Sequence, residues 1–497
     1  MDLDLLTEPL LSWRDGARRR GKTTLPGLLA RLAGGELADF PRVRTHQLDP
    51  WVMFLTQLAA ISLHHAGQSD PVISEGRWRE LLLGLTEGAH EPWSLVVADL
   101  SKPAFFQPPV PEGTIEGWRV TEAPDDVDVL STAKSHDVKM GLLRGDDLEA
   151  WVYALATLQT MQGVYGAGKY GIARMKGGFA TRPRVGCATD HTFATRFRRD
   201  IDVLLSSWQQ LKHTFGYRDD GLSLVWADPW DGTTSLEAGD LTPHFIEVCR
   251  RLRCLKIGCR VACAETTTKV RRCLSAIKNG DVGDPWIPVH RSDGALNVGK
   301  NGFRYDRLAE LFSNDFEPSA AQAIRPGDGD PVMFLASALA RGQGGTEGLH
   351  QRSLLLTGSV RRKLGQPDGR AVLGRRAVQR VASVATMRSK VLYPALKQLA
   401  EGAKPMSDDL DARVDDIFFD DLFGTLDMAD DEAAVAFARR LADLAWRELQ
   451  RSIDRTGAAD AHRLKAISDA ERMFKACLKK NFPDAAAALV ASEAVPA

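Results

Sequence analysis

The chain has 497 residues, 44% of them hydrophobic and 26% charged, with a formal net charge of −1. Those values describe a soluble globular protein with room for two or three domains and a large core. No apolar run reaches the length needed to span a membrane, and the acidic start "MDLDLLTEPLL" lacks the basic region of a signal peptide, so a cytoplasmic location is expected.

The first distinctive stretch is "DGARRRGKTT", Asp15–Thr24, which carries the letters of a phosphate-binding P-loop. That loop works only where a buried strand feeds a glycine-rich turn that opens directly into a helix. Here "LLSWR" and "ARRRGKTTL" read as two strands joined by a turn at Asp15-Gly16, and the helix-opening Pro26 comes later. A basic N-terminal hairpin is therefore expected, although "LVVAD" (Leu95–Asp99) could imitate the magnesium-binding strand of a P-loop NTPase.

Next come a buried helix over Asp49–His65, capped by Asp49 with Pro50 in its first turn, and an irregular proline-rich loop over Lys102–Gly113. "KSHDVK" (Lys134–Lys139) sets His136 beside Asp137. Such a pair belongs to a phosphodiesterase metal site only with further His and Asp ligands, and a polar loop touching phosphate fits better. A second buried helix follows over Gly145–Gly163. The loop after it, "GAGKYGIARMKGGFATRPRVG", combines glycines that permit close backbone approach with Lys169, Arg174, Lys176, Arg182 and Arg184. It suits a nucleic-acid groove or backbone, or else a structural Ω-loop.

Cations crowd residues 174–199 and 250–272, whereas 408–432 is acidic. This points to local anion binding or to solvated helix faces. Five of the seven cysteines, Cys249, Cys254, Cys259, Cys263 and Cys273, lack C-x-x-C spacing and are expected as reduced thiols, with no metal or other cofactor. "ARGQGGTEGLHQR" (Ala340–Arg352) places Gln343, Thr346 and Glu347 on a glycine-rich turn. Thr346 and Glu347 are expected to cap a following helix. Beyond a linker at Arg361–Val372, long amphipathic segments predict an antiparallel four-helix bundle. The expected fold is α+β: a mixed α/β domain over residues 1–365, then the bundle over 366–497.

Taken together, "DLLTEPLL", "LDPWVMFLTQLAAISLH", "KPAFFQPPV", "STAKSHDVKMG", "YGIARMKGGFATRP", "LTPHFIEVCRRLR", "GDPWIPV", "GQGGTEGLHQR" and "AERMFKACLKKNFP" resemble the CasA family, the large subunit of the type I-E CRISPR surveillance complex Cascade. The resemblance runs from near residue 4 to 483. It implies a non-catalytic subunit whose partners are the other Cascade subunits, the CRISPR guide RNA, double-stranded target DNA with its displaced strand, and a helicase-nuclease. Guide pairing reads the target, so the protein reads only the short flanking motif (the PAM). By the same resemblance, Tyr170, Gly171, Arg174, Lys176, Gly177 and Gly178 form a DNA-contacting glycine loop. Lys278 matches a minor-groove lysine, and Gln343, with Thr346 and Glu347, sits at a wedge tip. Lys134, His136 and Lys139 fall in a loop reaching toward the guide, and Arg182 and Arg184 are assigned to guide or backbone contact.

Overall fold

The computed structural model describes residues 3–130, 147–325, 327–343, 345–366, 368–401, 409–456 and 461–487. Lys134, His136 and Lys139 lie outside them. The chain divides into two compact units, residues 1–302 with 317–355, and residues 303–316 with 356–497.

In the first unit, Leu11–Arg14 pairs antiparallel with Arg20–Thr23, Ser12 facing Lys22 and Arg14 facing Arg20. The connection is a five-residue loop rather than a two-residue turn. It is tied by the Asp15 carboxylate, which accepts from Arg19 N at 2.8 Å and Arg19 Nε at 2.7 Å. Thr24 then caps the helix Leu25–Gly34 by accepting from Gly27 N at 3.0 Å. A strand thus separates Gly16 from the helix N-terminus and holds Lys22, and residues 95–99 are irregular, so the segment lacks the strand–loop–helix geometry of a P-loop. Lys22→Ala is expected to leave stability within about 0.5 kcal/mol of the parent, since the side chain is exposed. Neither protein should turn over magnesium-ATP, which a thermal melt and a phosphate-release assay check.

The core of this unit is built on three helices, Thr45–His65, Leu148–Met161 and Phe193–Phe215. The first two are apolar nearly all round, as a helix enclosed on every side must be. The first starts four residues before the expected cap, so Asp49 lies inside it and serves Arg184 instead. Asp147 caps the second, accepting from Ala150 N at 3.3 Å. The proline-rich loop is not a surface feature. Phe105 and Phe106 are fully buried against Phe54 and Trp226. Gln107 satisfies the buried backbone there, donating to Leu95 O at 2.9 Å and accepting from Cys254 N at 2.6 Å.

Beside a parallel pair, Leu222–Leu224 with Leu241–Ile246, and a short pairing of Val289–His290 with Gly294–Ala295, the unit has two three-stranded sheets. One has Arg251–Ile257 beside Arg260–Thr266, with Arg119–Thr121 on the far edge. In the other, Val332–Gly342 lies between Arg184–Ala188 and Gly345–Leu356. Residues 345–356 are therefore strand, and Thr346 and Glu347 cap no helix. The tip that carries Gln343 is the turn of a long hairpin.

The second unit is helical. Tyr305–Phe312 joins it from earlier in the chain, with Gly358–Leu364, Gly369–Thr386, Tyr393–Leu399, Leu410–Gly424, Asp430–Thr456 and Ala461–Asn481. The expected linker is largely helix. Arg370, within it, donates to Leu311 O at 2.9 Å and Phe316 O at 3.1 Å. A π turn over Met387–Leu392 precedes Pro394 and accommodates the N–H and the room that the proline removes. Most acids of the acidic stretch are exposed, but two hold the unit together. Asp411 accepts from Tyr305 Oη at 2.8 Å, and Asp421, 1% exposed at its side chain, pairs with Arg380 and Arg440. Arg376 closes the C-terminus of the helix 410–424, donating to Thr425 O at 2.9 Å and Met428 O at 2.7 Å.

Candidate nucleic-acid interface

The glycine loop is a folded-back segment whose two limbs touch. Val164 N donates to Gly178 O at 2.9 Å, and Ile172 N to Gln162 O at 3.0 Å. A Cβ on Gly171 would lie 2.6 Å from the Gly163 carbonyl carbon, and one on Gly163 only 2.3 Å from Ala180 O. At those two positions any larger residue must push the backbone limbs apart.

Beneath the loop lies a buried ionic network. Arg174 pairs with Glu247 and, at 2.9 Å, with Asp284, donates to Phe245 O at 2.8 Å, and stacks over the Phe245 ring at 4.3 Å. Glu247 also accepts from Ala173 N at 2.7 Å, so one carboxylate holds both the loop backbone and its cation. Arg182 reaches Asp284 at 2.6 Å and Gln57 at 3.2 Å. Burial alone would lower both guanidinium pKa values. Glu247 and Asp284 hold that of Arg174 above its ordinary value, while burial pushes Arg182 down to about 10. Arg184 bridges Asp49 at 3.0 Å and Asp200 at 2.9 Å.

These contacts correct three sequence-based assignments. Arg174, Arg182 and Arg184 are at most 4% exposed and hold the loop and sheet together, so they present nothing to a phosphate. Their proximity in sequence to a glycine-rich loop gave the wrong signal, because buried and exposed arginines look alike in a string of letters. The second basic cluster behaves similarly. Arg250, Arg251, Arg253 and Arg272 are buried, and Arg253 donates to the carbonyls of Lys102, Val97 and Asp99, each at 2.8 Å.

Tyr170, Gly171, Gly177, Lys269, Arg271 and Lys278 line one 340 Å³ cleft, in which Tyr170, Lys269 and Lys278 are exposed. Lys278 is exposed, and its ammonium donates to Ser275 O at 2.6 Å. The turn that carries it packs directly on the loop: a Cβ on Gly280, whose φ is +73°, would meet Lys176 N at 2.8 Å. Lys176 is engaged by Asp293, and Gly177 O accepts from Asn297 Nδ2 at 3.0 Å. Gly178, with φ +77°, turns the chain back toward Val164.

The hairpin tip is tethered to the same loop. Arg341 lies over the Tyr165 ring at 5.3 Å, which puts exposed Gln343 two residues beyond a contact with the loop. Glu347 lies across Gly342, where a Cβ would sit 2.4 Å from its carboxylate, and Thr346 is on the returning strand. Lys269 and Arg271 were not among the expected site residues. Their signal was present in the basic run 250–272, but only the fold shows that Lys269 is exposed whereas Arg271 is half-buried and donates to the carbonyls of Cys273, Leu274 and Ile277.

The cleft can accept a polyanion. Lys269 and Lys278 are exposed cations in its lining, the glycine loop contributes backbone, and Tyr170, 37% exposed, offers a ring. Among the described residues no three His, Cys, Asp or Glu side chains converge as metal ligands. Cys249, Cys254, Cys263 and Cys273 are buried thiols, and burial raises that of Cys249 to about 11. No described helix is long and apolar enough to cross a membrane.

No protein-family model matches this sequence, and no curated protein does. Solved structures do. CasA (Cse1) of Thermus thermophilus superposes with a TM-score of 0.62 at 13% identity, over 96% of this chain and 99% of that one. Cse1 of Acidimicrobium ferrooxidans gives 0.62 at 14%, over 97% and 98%. A chain of a structure described as a CRISPR RNA-guided surveillance complex gives 0.56 at 13%, over 96% and 99%. The resemblance read in the sequence and the architecture agree: over nearly its whole length, this chain has the fold of the CasA (Cse1) proteins.

Proposed function

We propose that this chain is the non-catalytic large subunit of a type I-E Cascade. It would assemble with the other Cascade subunits and the guide RNA, recognise the PAM in double-stranded DNA, aid strand separation, hold the displaced strand and recruit a helicase-nuclease. The observation that carries the reading is the CasA fold shared end to end with the solved Cse1 chains. The cleft supports the DNA-reading part. Lys278 and Tyr170 face the same space, and the Gln343 tip is fixed beside it through Arg341 and Tyr165. Minor-groove readout is degenerate, which suits a reader of a permissive short motif. A neutral amide at a glycine-rich tip enters a base stack with less desolvation cost than a guanidinium would.

The test is binding of complex reconstituted with guide RNA to targets carrying correct and scrambled PAMs. Lys278→Ala and Gln343→Ala are each expected to lower the correct-to-scrambled ratio by about 1–3 kcal/mol, the worth of one good base contact. Lys269→Ala should weaken both targets alike and reduce the salt dependence. An unchanged ratio in the first two variants would remove the PAM assignment, and failure of the chain to co-assemble with Cascade subunits would remove the whole reading.

A further inference from the structure

We propose that the N-terminal hairpin is a second nucleic-acid contact, in which Arg18, Arg20 and Lys22 hold the phosphodiester backbone of a strand. The site is separate from the cleft and does not depend on the PAM reading.

All three side chains are exposed, and none has a carboxylate partner among the described residues. The nearby acids are already engaged. Asp15 is bound by Arg19, Asp39 by Arg14, and Glu149 by Ser12 N and Oγ, both at 2.6 Å, and by Tyr153 Oη at 2.5 Å. Arg20 and Lys22 lie two apart on one strand, so they share a face about 7 Å apart along it. Two such cations along an extended edge, with Arg18 on the adjoining loop, fit a repeating row of phosphates better than they fit a single small anion.

The hairpin is also stiff. Gly21 lies against the Trp13 indole, where a Cβ would come within 2.9 Å, and the same ring carries the Arg31 guanidinium 4.2 Å from its centroid. Leu11 is fully buried, and the two Ser12–Glu149 bonds pin the strand to the first turn of the helix 148–161. The cations therefore project from a fixed base, which reduces the ordering cost of binding.

The experiment uses the full chain and fluorescein-labelled oligoadenylate as RNA, as single-stranded DNA and as a DNA duplex, titrated across salt concentrations. The triple variant Arg18→Ala/Arg20→Ala/Lys22→Ala should bind the preferred oligonucleotide about tenfold more weakly. Its slope of log K against log salt should be shallower by about 2, from three lost contacts on a single strand. The charge-keeping variant Arg18→Lys/Arg20→Lys/Lys22→Arg should retain the slope. The three arms show whether RNA or DNA supplies the phosphates. An unchanged slope in the triple variant overturns the proposal, as does loss of binding in the charge-keeping variant. Loss of polyglutamate binding without loss of oligonucleotide binding overturns it in favour of an acidic protein partner. Because Lys269→Ala/Lys278→Ala leaves the hairpin intact, each site can fail without the other.

Discussion

Asp284→Ala is expected to destabilise the first unit by about 3–5 kcal/mol, the cost of breaking a buried ion pair from one side. Asp284 Oδ2 forms ion pairs with Arg174 Nε at 2.9 Å and Arg182 Nη2 at 2.6 Å, while Oδ1 accepts from Trp286 N at 2.9 Å. Removing it leaves two guanidiniums with side chains 3% and 1% exposed, sharing only Glu247 as a close counter-charge. Arg182 is the vulnerable member, since burial already lowers its pKa to about 10 with Asp284 in place. Asp284→Asn keeps an acceptor for Trp286 N and should lose less. Every tryptophan except Trp446 lies in the first unit, so urea unfolding followed by tryptophan fluorescence reports this unit. A loss below about 1 kcal/mol, the level of an exposed ion pair, would show that the network is wetter than its burial implies.

That network also shows where sequence reading stops. Helices with strong apolar periodicity, such as those at 148–161 and 430–456, were legible because one face or all faces must be buried. The N-terminal hairpin was legible from two strand-like segments ahead of the helix-opening Pro26, although its two-residue turn was not, the connection being a five-residue loop. The failures were of two kinds. "TEGLHQRSLLL" was read as helix-capping when its residues form a strand, a choice made by pairing with Val332–Gly342 rather than by local propensity. Many cations of the basic runs are internal, as Arg253 is with its three carbonyls, whereas the acidic run is mostly exposed and, of its described acids, only Asp421, which holds two arginines, is buried. Net charge per segment carries no information on which charges are desolvated. The cleft itself was half legible. Tyr170, Gly171, Gly177 and Lys278 meet there, whereas Lys269 and Arg271 needed the fold to bring them alongside.

The second large effect is expected at Gly171. Its φ is not in the left-handed region, so alanine meets no dihedral objection there. The obstacle is contact: a Cβ would lie 2.6 Å from Gly163 C, 2.7 Å from Gly163 Cα and 2.8 Å from Val164 N, all backbone atoms that cannot rotate away. Gly171→Ala must therefore push the limbs of the loop apart, at about 1–3 kcal/mol of overpacking. The Ile172 N to Gln162 O bond, next in the chain, is strained with it. Tyr170 and Gly171 would leave the lining they share with Gly177 and Lys278, and the cleft would lose its shape. Gly177→Ala is the informative contrast. It has nothing within 4 Å but a φ of +107°, so it adds backbone strain without a clash. Gly16→Ala, with open space and no positive φ, is the neutral control. On reconstituted complex, Gly171→Ala should abolish the preference for a correct PAM while guide-RNA-dependent assembly persists, because the loop is displaced but the core below it stays paired. Gly177→Ala should weaken that preference by a smaller factor, and Gly16→Ala should leave it unchanged. If Gly171→Ala lowers stability by the expected amount and the PAM preference survives, the loop's shape is structural and DNA is read elsewhere on the subunit.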